Sequence, residues 1–327
     1  MSFPLYRRPG GVIFLDDDPD YLEMIADVMP AEWHVRLFQQ PVDCINELQQ
    51  EPPRWERDFW KHQEMIQRWH NGAPLIPQIM QYWREEGMAR FDLTQVGVMD
   101  YSMPAMNGLQ VLGELMDWPG ARILLTGLAD EQLAVSAFNQ GLIEQFIPKQ
   151  SPDIRLRLTE AIQRLLTRSN ARYQAIWRAT LPREYSALLG FPAVAQDLEA
   201  LVLKQGWIEH ILLGEPFGIL ALDSIGEVSW LQLESAENLP ELAELAQSQG
   251  WSAAHVSEIR NGSKLIDLEL QLALGSAHKP RMQKALTLGK EQRLHAAIFP
   301  VKNLSSSNPV ASYQRFMAAC GERKLRD

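Results

Sequence analysis

The run Val96-Gly97-Val98-Met99-Asp100-Tyr101-Ser102-Met103-Pro104-Ala105-Met106-Asn107-Gly108 decides the reading of the fold. An apolar stretch stops on an acid, a Pro and a Gly follow, and a helical pattern begins near residue 108. That is a buried strand, a loop and a helix. The same rhythm lies to its N-terminal side. Val12-Ile13-Phe14-Leu15 stops at Asp16-Asp17-Asp18-Pro19, and Tyr21, Leu22, Ile25, Val28 and Met29 then recur at helical spacing. Val35–Phe38 reads as a second strand, and residues 41–50 as a helix with Pro41 in its first turn. To the C-terminal side, Arg122–Leu125 is a strand ending at Thr126-Gly127, residues 130–140 are helical, and Ile143–Ile147 is a strand ending at Pro148-Lys149. Ser151-Pro152 then opens a long helix, with Ser as N-cap and Pro at the first helical position.

Five strands alternating with five helices specify a parallel, doubly wound sheet covered on both faces. In such folds the chemistry collects at the carboxyl ends of the strands. Those ends carry Asp16 and Asp17, then Asp100, Thr126 and Lys149. A flavodoxin-like order, 2-1-3-4-5, makes strands one and three central neighbours, so Asp17 and Asp100 converge with Asp16 beside them. Clustered carboxylates repel one another unless a cation neutralises them, and hard oxygen ligands select Mg²⁺. A lysine and a threonine opposite suit a phosphoryl group, whose transfer needs mainly positioning and charge neutralisation.

The acidic pair after strand one, the Asp-x-x-Met-Pro-x-Met-x-Gly run, Thr126-Gly127 and Lys149 together resemble the receiver domains of two-component response regulators, over about residues 10–168. Each motif alone is weak; four in order at strand ends are specific. The resemblance implies Asp100 as phosphoacceptor and Mg²⁺ held by Asp17, Asp100 and the main-chain carbonyl of Ser102, with Asp16 acting through water. It further implies Lys149 pairing with phosphoryl oxygens, Thr126 moving toward the phosphate and Phe146 as the aromatic that swings inward; for Phe146, plain core packing is the other reading. The implied partner is a histidine kinase or phosphotransfer protein. Two departures stand out. Gln150 takes the place of the family's Pro after the lysine, leaving the Lys149–Gln150 bond either trans or strained. Residues 51–92 delay Asp100 far beyond its usual position.

That stretch reads as a helical hairpin inserted between helix two and strand three, at the edge opposite the phosphorylation site. It holds Trp55, Trp60, Trp69 and Trp83, four of the ten tryptophans. Two readings stand: the hairpin's own core against the receiver, or an aromatic anchor set for the output domain or for a second subunit in a homodimer.

Composition narrows the rest. The 327 residues suggest two domains, and 46% hydrophobic with 22% charged is ordinary for a globular chain. A formal charge of −10 disfavours non-specific polyanion binding. Cys44 and Cys320 read as thiols, and the seven histidines lack metal-ligand spacing. With no signal peptide and no run of about 18 apolar residues, the expectation is a cytoplasmic protein without a membrane span.

The domain reading is a receiver over 1–168, a linker helix over 169–182 and an α+β output domain over 183–327 with a mostly antiparallel sheet. In that last part helices are expected near 193–205, 238–249, 252–260 and 309–320. Strands are expected at Phe217–Leu222, Val228–Leu233, Leu265–Leu274 and His295–Val301, the first two joined by Asp223-Ser224-Ile225-Gly226-Glu227 as a hairpin resembling the opening of a PAS-like sheet. From Arg183 onward, 14 Lys and Arg face 17 Asp and Glu, net −3, and no basic recognition helix stands out. Cyclase, phosphodiesterase, kinase and P-loop signatures are missing, so enzyme activity in this half is not expected. A late acceptor and an unfamiliar output half also resemble, in those two respects, the atypical quorum-sensing response regulators known from Legionella. The favoured output is protein contact or ligand binding; a transcription factor with an unfamiliar DNA-binding domain and a phosphorylation-gated enzyme are the alternatives.

Overall fold

The computed structural model describes residues 3–127, 131–167, 171–276, 278–289, 294–301, 309–321 and 325–326. Contacts divide the chain into two units: Met1–Arg8, Lys61–Gly87 and Asn170–Gln314 form one, and Pro9–Trp60, Met88–Ser169 and Arg315–Asp327 the other. In chain order the elements are β1 (Tyr6–Arg7), β2 (Gly11–Leu15), α1 (Pro19–Val28), β3 (Val35–Phe38), α2 (Pro41–Leu48), and the hairpin helices α3 (Pro52–His70) and α4 (Leu75–Glu86). After a 3₁₀ turn over Gly87–Phe91 come β4 (Thr94–Asp100), α5 (Gly108–Glu114), β5 (Ala121–Thr126), α6 (Glu131–Asn139), β6 (Gln145–Pro148) and α7 (Ile154–Thr167). Then follow α8 (Ala171–Arg178), α9 (Arg183–Leu189), α10 (Pro192–Gln205), β7 (Trp207–Gly214), β8 (Phe217–Asp223) and β9 (Val228–Ser235). The chain continues through α11 (Leu239–Ser248), α12 (Ala253–Arg260), β10 (Lys264–Ile266), α13 (Leu268–Ala273), β11 (Met282–Lys284), β12 (Leu286–Leu288), β13 (Leu294–Pro300), α14 (Tyr313–Cys320) and β14 (Leu325–Arg326).

The unit holding Asp100 has the flavodoxin-like sheet, order β3-β2-β4-β5-β6, all parallel. A sixth strand, β14, adds in parallel beside β3; two residues are too few for any sequence pattern to announce. Alternate residues of the central strands feed two separate cores, which is why their sequences are continuously apolar. Val12, Phe14, Val96, Val98, Ile123 and Leu125 meet Leu22 and Ile25 of α1 and Leu158 and Ile162 of α7 on one face. Ile13, Leu15, Met99 and Leu124 meet Cys44 of α2, Val111 and Leu112 of α5 and Ala134 of α6 on the other.

In this unit the hairpin is rooted through Glu51, the residue before α3. Its buried carboxylate accepts from the Thr94 amide at 3.0 Å, Thr94 Oγ1 at 2.5 Å, Trp118 Nε1 at 3.2 Å and Trp55 Nε1 at 3.3 Å, and pairs with Arg36 at 3.2 Å. Thr94 opens β4 and Asp100 closes it, so this joint lies at the strand end away from Asp100.

The other unit is α+β with an antiparallel six-stranded sheet, order β1-β7-β8-β9-β13-β12. The β8–β9 hairpin turns where expected: Asp223 Oδ1 accepts from the amides of Ile225 and Glu227, and Gly226 takes φ +95°. Residues 61–87 group with this unit, and the flanking residues 51–60 and 88–92 with the Asp100-bearing one. Trp83 is fully buried and donates to Glu209 Oε1 of β7 at 2.8 Å, while His62 is enclosed by Tyr6, Tyr82, Tyr173 and Trp177. Trp55, beside Glu51, is buried and Trp60 is exposed, so the four tryptophans do not form one core.

Two local expectations are corrected. Leu265–Leu274 is not a single strand: only Lys264–Ile266 is extended, and Leu268–Ala273 is helical. Buried Asp267 sits between them, accepting from the Arg281 guanidinium and, one helical turn on, from Gln271 Nε2 at 2.8 Å; the helix brings that fourth residue back, which a strand does not. The helix expected at Pro152 begins at Ile154, because residues 151–153 form a turn in which the Ile154 amide donates to the Ser151 carbonyl at 3.1 Å. Beyond α7, the expected linker over 169–182 contains α8, Ala171–Arg178, and residues 168–170 lie outside the described residues.

Candidate functional site

Each acidic or basic site residue is delivered by the last ladder position of a parallel strand. The Asp16 amide donates to the Phe38 carbonyl at 3.1 Å, the Tyr101 amide to Leu125 at 2.9 Å and the Lys149 amide to Thr126 at 2.9 Å. Registers Leu15↔Met99, Asp100↔Leu125 and Thr126↔Pro148 hold these ends side by side. The loop after Asp100 is fixed from both sides. Met103 is buried in the core, Asn107 and Gln110 form a reciprocal capping box, and the Gly108 amide donates to the Tyr101 carbonyl. A Cβ on Gly108 would lie 2.4 Å from the Asp100 carbonyl oxygen, so only glycine permits this approach.

The three acids after β2 divide their tasks. Asp18 caps α1 through the amides of Asp20 and Tyr21. Asp16 is buried, accepts from the Asp18 amide at 3.1 Å and pairs with Lys149 Nζ at 2.6 Å. Asp17 is exposed and has no partner among the described residues. Lys149 also reaches Asp100 Oδ1 at 2.9 Å. Carboxylate oxygens of Asp16, Asp17 and Asp100 lie within 4.8 Å of one another.

The electrostatics follow from this crowding. Burial raises the Asp16 pKa, Lys149 opposes the rise and Asp100 adds to it. For Lys149 burial alone would lower the pKa, but hydrogen bonds to and charges on Asp16 and Asp100 outweigh it and the net direction is upward. Thr126 is fully buried and its Oγ1 has no hydrogen-bond partner among the described residues, which is costly in a closed core and leaves a donor available to a ligand. Phe146 is half-buried and packs against the core through the same face as Leu124 and Ile143. Ser102 is exposed in the loop two residues past Asp100. Among the described residues the cis peptide is Glu215–Pro216, so the Lys149–Gln150 bond is trans.

Tyr21 is the site neighbour that sequence reasoning missed, having been counted only as an apolar position of α1. Lys149 Nζ lies 4.6 Å from its ring centre, and its buried hydroxyl has no hydrogen-bond partner. Burial, then the fields of Asp16 and Asp100, push that hydroxyl up to about 12. The usable signal was its place, four residues beyond Asp17 on the first turn of the helix that leaves the acids.

The residues fit a hard divalent cation: an unpartnered carboxylate (Asp17) beside Asp16 and Asp100, all oxygen donors, with an orphaned hydroxyl opposite.

No protein-family model matches the chain, and no curated protein matches it. Among solved structures it is similar to the Legionella pneumophila response regulator LqsR, at 23% identity and a TM-score of 0.71 over 97% of each chain. A response regulator receiver domain protein from Clostridium thermocellum aligns with 49% of this chain and 95% of its own, at 17% identity and a TM-score of 0.31. The BeF3-activated DrrB receiver domain aligns with 49% and 99%, at 17% identity and 0.32. The first likeness extends the shared fold through both units.

Proposed function

We propose that this chain, whose fold is that of LqsR, is a response regulator that accepts a phosphoryl group on Asp100. The observation that carries the reading is the convergence of Asp16, Asp17, Asp100 and Lys149 at one end of the sheet, with an unsatisfied Thr126 hydroxyl beside them.

In this reading an Asp100 carboxylate oxygen attacks the phosphorus of a phosphohistidine on a histidine kinase or phosphotransfer protein. The P–N bond breaks, the imidazole leaves and an acyl phosphate forms. Lys149, already 2.9 Å from Asp100, holds a phosphoryl oxygen, and the Thr126 hydroxyl donates to another. Asp17, Asp100 and the main-chain carbonyl of Ser102 would hold Mg²⁺, with Asp16 reaching it through water. The ion, when bound, neutralises carboxylate and phosphoryl charge. Phe146 turns inward as Thr126 engages the phosphate, relaying the state of Asp100 along β5 and β6.

The output then acts by protein contact or ligand binding rather than by its own catalysis, and the circuit proposed for it is quorum sensing. A homodimer and a cytoplasmic location complete the proposal; among the described residues no single helix is long and apolar enough to cross a membrane. The test is labelling of the full-length protein with a small phosphodonor and Mg²⁺. The parent incorporates label and Asp100→Asn does not; equal labelling of the two overturns the assignment.

A further inference from the structure

The unit formed by Met1–Arg8, Lys61–Gly87 and Asn170–Gln314 contains a cavity of about 320 Å³ between α9, α11, α13 and the β7–β8 turn. Four glutamates line it, Glu215, Glu234, Glu241 and Glu269, and no lysine, arginine or histidine does. Among the described residues none of the four has an ion pair. Glu234 is the decisive one. It is only 6% exposed, its Oε1 accepts from Gln232 Nε2 at 2.9 Å, and its other oxygen has no donor among the described residues. A buried carboxylate left half-satisfied in a cavity is a group that awaits an external donor. Burial, then the Glu269 charge, push its pKa up to about 8, and burial with Glu241 and Glu215 raises that of Glu269.

The spacing of these acids says what kind of cation fits. Among the described residues the acids whose oxygens gather closely enough for a single metal ion are Asp16, Asp17 and Asp100, in the other unit. The four glutamates are spread around a cavity large enough for a small organic molecule. The rest of the lining suits hydrocarbon and positive charge. The Tyr185 ring stacks on Phe217 with centroids 3.9 Å apart, and Asn238 Nδ2 holds the Tyr185 hydroxyl at 3.0 Å, giving a fixed aromatic plate. Leu245 and Leu272 are exposed at the cavity. Ammonium groups separated by methylenes would place charge at the glutamates and carbon against these apolar groups.

We propose that this cavity is a binding site for an aliphatic polyamine, making the output unit a cation-responsive element in addition to any signal from Asp100. The test is isothermal titration of the full-length protein with spermidine. The parent gives one saturable site. Glu241→Gln with Glu269→Gln, both at positions that are not fully buried, weakens it at least about tenfold, equal to about 1.4 kcal/mol. Glu244→Gln, an exposed acid of α11 outside the cavity, leaves affinity within about twofold, which separates a site from general charge attraction. Asp100→Asn binds spermidine as the parent does, so failure here is distinct from failure of the phosphoacceptor assignment. No saturable binding, an unweakened double variant, or an equal loss in Glu244→Gln overturns the proposal.

Discussion

Replacing Glu51 by Ala removes the acceptor for five donor contacts inside the Asp100-bearing unit. Arg36 keeps Glu47, and Thr94 Oγ1 still accepts from Arg36 but has no acceptor for its own hydrogen. The Thr94 amide and hydroxyl, Trp55 Nε1 and Trp118 Nε1 all lose this acceptor. Each buried donor left without a partner costs about 1–3 kcal/mol. Water entering the vacated space recovers part, so the expected loss is about 3–5 kcal/mol, the range for breaking a buried ion pair from one side. Glu51→Gln keeps one acceptor oxygen and should lose about half as much. The assay is native-state hydrogen exchange of the β2 and β4 amides along a urea gradient, which reports this unit alone. A loss below about 1 kcal/mol in Glu51→Ala would show that the joint is not what anchors the start of α3 to the sheet.

Gly108→Ala should cost about 1–3 kcal/mol through the clash with the Asp100 carbonyl, and should slow phosphodonor labelling measured against the parent. Tyr21→Phe removes a buried hydroxyl that has no partner while keeping the ring over Lys149, so thermal melting should show stability unchanged or raised by about 1 kcal/mol. Glu234 has a folded-state pKa above its unfolded value, so its contribution is fully present below about 4.5 and is lost as pH rises through about 8. Glu234→Gln should therefore flatten the fall in stability across that window, read as melting temperature against pH.

The Asp100-bearing half was legible because its physics is local and periodic. Val12–Leu15 and Val96–Met99 are apolar without interruption, since both sheet faces are covered, and each is followed by an acid of the candidate site. The other half was not legible for the same kind of reason. Strand β7 escaped notice because Glu209 and His210 sit buried within it, bonded to Trp83 and to the Pro4 carbonyl, and a buried polar pair breaks the apolar pattern that marks a strand. β1 and β14 are two residues each. Glu51 looked like the polar end of a helix; its role depends on Thr94 and Trp118, far away in sequence. The glutamates of the cavity come from a turn, a strand and two helices, and nothing in their spacing joins them.

Reduction of the phosphodonor-treated protein with borohydride, which converts an aspartyl phosphate to homoserine, followed by peptide mapping tests the central claim most directly. With Mg²⁺ present, homoserine should appear at position 100, and chelation of the metal should abolish it. Homoserine at another aspartate, or an equal yield under chelation, would contradict the assignment of Asp100 as the acceptor within a metal site shared with Asp17.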